Sequence, residues 1–497
     1  MPLYIMVYVA EGTYGCVYRP PIKCQNGIKY KSGKISKLMT RRAAIKEENE
    51  YKIIKNADKK RQFYPGPPIR CVPDPADAVK EMTPGECKLF EQDPNISKYE
   101  LLIYDDGGYD LDKFVKTQLD NYLVPGAKEQ TDKFFLNAYN LFQGIKLFLK
   151  NDILHHDIKP QNIVFDPHTY RFNYIDFGLI EKKSKLKSEM IRKLNYENFH
   201  WSYPLEFGFF NYSKQYYFEN PVDFVAAEQE FVNILTNPTY ENKVNKYGIK
   251  PHSFQSTFRY MENRLSPWTV AKKTDFIKQM FTGLKYYKTK ITFENTLDKL
   301  LSNTDIYSLG FTLNHVLNAF YDKGTIVENE YKEYSKLFRK MCSPNLVGRT
   351  AFSIEEYIEL YEKVLSDTGV LSRLDKKIKN GVIKDANTSI EAQILNNTVR
   401  RIQDILKACP HGQEMNSATR RCRKVCPPNH FRGPTGRCKK VKVVDLISGN
   451  SSSERSFWSR TRKACPAGKE LNPATGRCRI ACKPGTIRNS KGRCVKI

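Results

Sequence analysis

The chain has 497 residues, with 81 Lys and Arg against 54 Asp and Glu and a formal net charge of +27. Such a length exceeds one average domain. No apolar run reaches membrane-spanning length, and Met1 to Val9 lacks the basic flank and cleavage site of a secretory signal, so the expected setting is the interior of a cell, away from any membrane. The charge is uneven, since residues 401–497 hold 23 Lys and Arg against 5 Asp and Glu, together with eight of the 13 cysteines. Two compositional signals therefore place a boundary near residue 408.

From the N-terminus, Tyr4 to Val9 alternates as a strand and runs into Ala10-Glu11-Gly12-Thr13-Tyr14-Gly15-Cys16-Val17. Gly12 and Gly15 permit close backbone approach, which suits a phosphate cradle as well as a hairpin turn. Ile35-Ser36-Lys37-Leu38-Met39 alternates as a further strand with Lys37 inward, Lys34 being the second choice. A charged helix follows from Arg41 to Lys55. In it Glu50, beside Tyr51 and the apolar pair Ile53 and Ile54, fits the inward face, with Glu47 one turn away. Leu101-Leu102-Ile103-Tyr104 reads as a buried strand entering Asp105-Asp106-Gly107-Gly108, and Asp132 to Lys150 as a helix with Phe135, Ala138, Phe142, Ile145 and Leu149 on its core face.

The next segment concentrates the chemistry. His155-His156-Asp157-Ile158-Lys159-Pro160-Gln161-Asn162 is followed, thirteen residues after its asparagine, by Ile175-Asp176-Phe177-Gly178, across a hairpin pattern of Ile163, Val164, Phe165 and Tyr174. Phosphoryl transfer needs a carboxylate to orient the attacking hydroxyl, a second carboxylate and an amide for magnesium, and a cation for the transferred group. Asp157, Asp176, Asn162 and Lys159 are of those types. The pattern resembles the catalytic loop and metal-binding turn of protein kinases, and the stretch Val9 to Val17 resembles their glycine-rich loop with Ala10 in place of its first glycine.

This resemblance implies an α+β, bilobal protein-kinase fold with a small lobe over 1–105 and a large lobe over 106–365, using ATP and Mg2+. It implies that Val9, Ala10, Glu11, Gly12, Thr13, Tyr14, Gly15, Cys16 and Val17 cover the nucleotide and that Lys37 holds its phosphates, with Glu50 as the partner of that lysine. Asp157 would be the base and Asn162 and Asp176 the metal ligands. Lys159, two residues beyond the base, implies Ser or Thr as the acceptor. Tyr203-Pro204-Leu205-Glu206 resembles a loosened form of the kinase A-P-E motif, Asp305 the aspartate that braces the catalytic loop, and Arg349 the arginine that pairs with the A-P-E glutamate. These parts build a peptide platform, so a protein substrate is expected.

Two departures qualify the match. His156 stands where kinases carry an arginine that grips a phosphorylated activation segment, and an imidazole cannot form that bidentate clamp. Residues 207–304 form a long insertion with helix-like stretches at Val222 to Leu235 and Thr274 to Leu284, read either as elaborated surface or as a docking platform. Beyond it, Ser353 to Leu365 opens with a capping box of Ser353 and Glu356. The stretch 366–408 is expected to be a helical linker, with Leu395, Val399, Ile402 and Leu406 on one face.

The remainder is a repeat array of small cysteine-rich modules. Cys409 to Cys422 is echoed by Cys465 to Cys478, and the related halves Cys426 to Cys438 and Cys482 to Cys494 repeat with the same displacement of 56 residues. The double units are 409–442 and 465–497, joined by a Ser-containing linker over 443–464. The pattern C-P-x-G-x-x-x-N-x-x-T-G-R-C is similar to the two-cysteine adaptor repeat of large nucleocytoplasmic DNA viruses, where it is joined to serine/threonine kinases. The whole chain thus resembles a virus-encoded serine/threonine kinase of the iridovirus type. Host cytoplasm is then the expected location, with packaging into virions left open, and recruitment of a partner the expected role of the tail.

Local cystines would restrain each loop of about fourteen residues by about 3 kcal/mol, and one zinc per double unit would serve equally. Local pairs are the expected arrangement because each half repeats as a self-contained pair, although a reducing cytosol weighs against them. The basic surface suits solubility, an acidic protein or nucleic acid; too few aromatics interleave for single-strand stacking, so nucleic-acid binding is not asserted. The competing class is a catalytically silent scaffold or virion protein.

Overall fold

The computed structural model describes residues 7–12, 15–25, 27, 33–81, 87–191, 203–204, 206–207, 224–237, 255, 258–259, 269–290, 293–343 and 353–373, and the strands of the C-terminal repeats. The chain divides into two compact units, Met1–Lys407 and Ala408–Ile497. In the first, β1 (Val7–Gly12), β2 (Gly15–Arg19), β3 (Lys34–Thr40), β4 (Ile69–Cys71) and β5 (Tyr99–Asp105) form an antiparallel sheet of order β1-β2-β3-β5-β4. Strand alternation divides its side chains between two covered faces. Leu38, Leu101 and Ile103 join Cys16 and Tyr18 in one cluster, while Met39, Leu102 and Tyr104 face the main core together with α1 (Arg41–Ala57).

Thr40 caps α1 by accepting from Ala43 N–H, and its buried stripe is Ala44, Glu47, Tyr51 and Ile54, the +3, +4, +3 spacing of one helical face. Two disulfides staple the same sheet, Cys16–Cys87 and Cys24–Cys71. Cys87 leads into α3 (Lys88–Gln92), which follows α2 (Pro75–Glu81), and Leu89 N–H donates to Glu11 at 3.3 Å. A segment remote in sequence is therefore fastened to β1 at Glu11 and to β2 at Cys16.

Helices dominate the rest of the first unit. After the short strand β6 (Tyr109–Asp110), α4 (Ala127–Lys150) runs through the main core, where Phe134, Phe135, Phe142 and Phe148 are fully buried. Strands β7 (Ile153–Leu154), β8 (Ile163–Asp166), β9 (Arg171–Tyr174) and β10 (Glu181–Lys182) set out the chain between α4 and α5 (Lys183–Ile191), with sheet order β6-β8-β9 and β7 paired to β10. In the insertion, α6 (Phe224–Thr236) and α7 (Val270–Lys290) pack through Phe231 and Phe281, rings 5.5 Å apart, in a second core that includes Leu297 and Leu301. Those leucines begin α8 (Phe293–Asp322), so the end of the insertion is continuous with the helix that carries Asp305. Helices α9 (Glu328–Met341) and α10 (Ile354–Asp367) complete the unit, and Ser353 and Glu356 make both bonds of the capping box. The expected helix near 388–406 lies outside the described residues.

The described residues of the second unit form four antiparallel strand pairs: Gln413–Met415 with Cys422–Lys424, His430–Arg432 with Cys438–Lys440, Lys469–Leu471 with Cys478–Ile480, and Thr486–Arg488 with Cys494–Lys496. The register recurs. Cys422, Cys438, Cys478 and Cys494 each open the second strand opposite the last residue of the first, Met415, Arg432, Leu471 and Arg488. Cys409, Cys426, Cys465 and Cys482 lie outside the described residues, as does the choice between disulfide and zinc. Among the described residues no helix is long and apolar enough to cross a membrane.

Candidate functional site

A cleft of about 370 Å³ opens between the five-stranded sheet and the β6–β8 region, lined by Val9, Gly12, Val17, Lys37, Glu47, Tyr104, Lys159, Asn162 and Asp176 among others. Its roof is the β1–β2 hairpin. A Cβ on Gly15 would meet the Leu38 carbonyl oxygen at 2.5 Å, so strand packing demands that glycine; a Cβ on Gly12 meets nothing closer than 3.8 Å, which leaves room beside the backbone for a ligand. Ala10 pairs with Val17 beside a bulge, and Glu11 holds the Leu89 N–H. Cys16 is buried in its disulfide. Thr13 and Tyr14 lie outside the described residues.

Lys37 lines the cleft with Ile35, while Met39, the next alternate residue of β3, is buried in the main core. Lys37 Nζ donates to both oxygens of Glu47, at 2.9 and 2.7 Å. This corrects the expectation that Glu50 would be the partner. Glu50 lies off the buried stripe of α1, takes Lys46 at 3.5 Å, and burial pushes its carboxyl up from the usual range against the pull of Lys46. The signal for Glu47 is present in the sequence: Ala44, Tyr51 and Ile54 stand at helical spacing from it, whereas adjacent Ile53 and Ile54 misplace the face. Lys34, the alternative lysine, pairs with Asp105 at 2.5 Å.

The opposite wall is the loop 155–162. Asn162 Nδ2 donates to the Asp157 carbonyl at 2.8 Å and to its carboxylate at 2.7 Å, and Lys159 Nζ reaches the same carboxylate oxygen at 2.8 Å. The Asp157 side chain is thus oriented by two donors within five residues. The loop backbone is held from below by Asp305, whose carboxylate accepts from His155 N–H at 2.8 Å and His156 N–H at 2.9 Å. Burial pushes the Asp305 carboxyl up, opposed by His155 and by those two backbone donors. His155 Nδ1 lies 3.3 Å from Asp157 N–H, and Nε2 of the same ring lies 3.1 Å from the Ile175 carbonyl. One imidazole therefore links the loop to the turn that carries Asp176.

That turn is strained and wedged. Asp176 has φ 57° and His156 φ 64°, a left-handed conformation that costs a non-glycine residue about 1 kcal/mol or more and persists where the surroundings impose it. Phe177 is fully buried between Tyr51 and His155, with ring centroids 5.1 and 5.0 Å away. Tyr51 is thus a site residue that motif reading missed. Asn162 and Asp176 line the same cleft. With Nδ2 bonded to Asp157, the amide oxygen of Asn162 is the atom left to coordinate a cation. One carboxylate and one amide oxygen fit Mg2+, which is held by few protein oxygens together with phosphates and water. Among the described residues, no cluster of three or more His, Cys, Asp or Glu side chains could hold a metal by itself.

His156 is buried, and its ring stacks on Tyr203 at 4.8 Å with only 4° between the planes. The Tyr203 hydroxyl donates to the His156 carbonyl at 2.5 Å. Ser184 N–H and hydroxyl both donate to Asp152, and Ser188 donates to the Ser184 carbonyl. Glu206 is buried; Leu205 and Arg349 lie outside the described residues. No protein-family model matches the chain, and no curated protein matches it.

Proposed function

We propose that the first unit has the bilobal protein-kinase fold and transfers the γ-phosphoryl group of ATP to Ser or Thr hydroxyls of protein substrates. The single observation that carries this reading is the convergence on one cleft of the Lys37–Glu47 ion pair, the Asp157–Lys159–Asn162 cluster and Asp176. In this reading Lys37 holds the α- and β-phosphates, and Glu47 keeps the lysine from folding away. Asp157 accepts the hydroxyl proton while Lys159 faces the charge that spreads over the transferred group. Mg2+, taken by Asn162 and Asp176, would neutralise charge on the β- and γ-phosphates. Burial of His155, Phe177 and Asp305 fixes this wall before substrate arrives, so little reorganisation accompanies the transfer.

Buried His156, closed over by Tyr203, supports an enzyme that needs no phosphate clamp at this position. The C-terminal hairpins, recurring in one register within a strongly basic stretch, support a recruiting module of the viral two-cysteine adaptor kind, working in the host cytoplasm on an acidic partner. Transfer of labelled phosphate from ATP to viral and host proteins, compared with Asp157→Asn, tests the reading. Equal transfer by the variant, or none by the wild-type chain, overturns it in favour of a silent scaffold.

A further inference from the structure

A second cavity, also of about 370 Å³, shares no lining residue with the cleft. It lies where the end of α4, the middle of α8 and the first turn of α10 meet, and its volume is that of an ordinary small-ligand site. Leu149, Ile306 and Ile354 supply its apolar lining, and Lys146 and Lys150 reach it from α4. Asn303 lines it too and is 6% exposed. Its Nδ2 donates to the Lys299 carbonyl at 2.9 Å, one turn back on α8, whereas its buried Oδ1 has no partner among the described residues. A buried amide oxygen left unbonded is costly, and at a cavity wall it is a place for a ligand N–H. The start of α10 adds donors. Its capping box takes the N–H groups of Ser353 and Glu356, so those of Ile354 and Glu355, the other two that a helix start leaves over, have no partner among the described residues. Lys146 pairs with Glu355 at 3.4 Å, which leaves Lys150 as the cation of the cavity with no such pair.

We propose that this cavity binds the C-terminus of a partner protein that ends in an aliphatic residue such as leucine. The last residue of a chain carries on one Cα an N–H donor, an apolar side chain and a carboxylate, the three groups that this lining calls for. Its N–H donates to Asn303 Oδ1 and its side chain lies on Leu149, Ile306 and Ile354. Its carboxylate takes Lys150 and the free N–H groups that open α10, where the helix dipole favours negative charge. An internal aspartate or glutamate would hold its carboxylate farther from its own N–H and bring no aliphatic group. The inference stands apart from the kinase reading of the cleft, since it uses none of the cleft residues.

The test uses the full chain with nitrogen-15 in its asparagines, read by the side-chain amide signal of Asn303, which is assigned by its absence from Asn303→Asp. The probes are N-acetyl-leucine, its amide N-acetyl-leucinamide, 4-methylpentanoate and inorganic phosphate. N-acetyl-leucine is expected to shift the signal saturably with a Kd of about 1 mM, the scale for a ligand of about a dozen heavy atoms. The leucinamide lacks the charge and 4-methylpentanoate lacks the N–H, so each should bind about tenfold more weakly. Lys150→Glu, a change at an exposed position, should weaken N-acetyl-leucine by about tenfold while the melting midpoint and any ATP turnover stay at wild-type values. No saturable shift, a shift matched by inorganic phosphate, equal binding of acid and amide, or a Kd unmoved by Lys150→Glu overturns the proposal. Equal binding of 4-methylpentanoate overturns it too, in favour of a free fatty acid.

Discussion

The two walls of the cleft are built by opposite strategies. On the loop wall, Asp157, Lys159 and Asn162 contact one another within five residues of chain, and one long-range residue, Asp305, braces them. On the sheet wall every important contact is remote: Glu47 lies ten residues from Lys37, Tyr104 fifty-seven from Glu47, and Cys87 seventy-one from Cys16. A local constellation carries its geometry in its spacing, while a remote one depends on helix register and strand pairing. The sharpest way to break the loop wall is at its carboxylates. Asp157→Asn should lower phosphoryl transfer by roughly two to four orders of magnitude, the span of a positioned base, with ATP binding retained. Asp176→Ala should abolish transfer with the fold intact. Single-turnover rates and nucleotide titrations on the same preparations check both.

That contrast also sets what is legible in the sequence. The loop, the turn at Asp176, the bracing Asp305, the α4 stripe and the Ser353–Glu356 capping box are local patterns, and each is found where its spacing places it. The partner of Lys37 is displaced by one turn from its expected place, because the inward face of α1 is set by Ala44, Tyr51 and Ile54 and not by the adjacent pair Ile53 and Ile54. The Tyr104 contact has no sequence signal: nothing in the spacing says that β5 delivers its hydroxyl to Glu47. The disulfides have a faint one, four cysteines within residues 16–87, which an expected intracellular setting outweighs.

On the sheet wall, removing a staple should show in stability. Closing a loop between residues 71 apart contributes about 4 kcal/mol in the chain-entropy model, so reduction, or Cys16→Ser with Cys87→Ser, should lower the melting midpoint of the first unit by several degrees. The serine variant should then be indifferent to reductant at this pair. A midpoint unmoved by reductant in the wild-type chain would mean that the pairs do not contribute.

A smaller effect separates the two glutamates of α1. Glu47→Gln replaces a charge-assisted pair and should lower kcat/KM for ATP by about ten- to a hundredfold. Glu50→Gln, which removes a 3.5 Å pair with the largely exposed Lys46 and leaves the Lys37–Glu47 bonds in place, should stay within about twofold. The reverse ranking would restore Glu50 as the partner and overturn an α1 register in which Glu47 faces Lys37.

Activation draws the next distinction, between a wall preset by packing and one set by modification. His156 is buried under Tyr203, and Ser184 already spends its hydroxyl on Asp152. A phosphate on Ser184 would face that carboxylate and gain no guanidinium from position 156. Phosphatase-treated enzyme should therefore keep most of its activity. Loss on dephosphorylation, restored by phosphorylating Ser184 or Ser188, would assign the clamp to another residue.

The smallest effect on chemistry is expected from the largest deletion. Every residue placed on the two walls lies between Val9 and Asp305, and the chain divides into compact units at Lys407 and Ala408. Removing residues 409–497 should leave kcat/KM for a short generic peptide nearly unchanged. The same deletion removes most of a stretch, residues 401–497, that holds 23 Lys and Arg against 5 Asp and Glu. Capture of the natural target should weaken accordingly, and for the full chain it should fade as salt rises, because screening acts on exposed charges over about 10 Å at 0.1 M. A salt-insensitive target would point to the cysteine-framed hairpins and not their charge as the recognised feature. If the truncated chain lost peptide phosphorylation while keeping its melting midpoint, the hairpin unit would belong to the catalytic machinery, and the division between a chemical unit and a recruiting unit would fail.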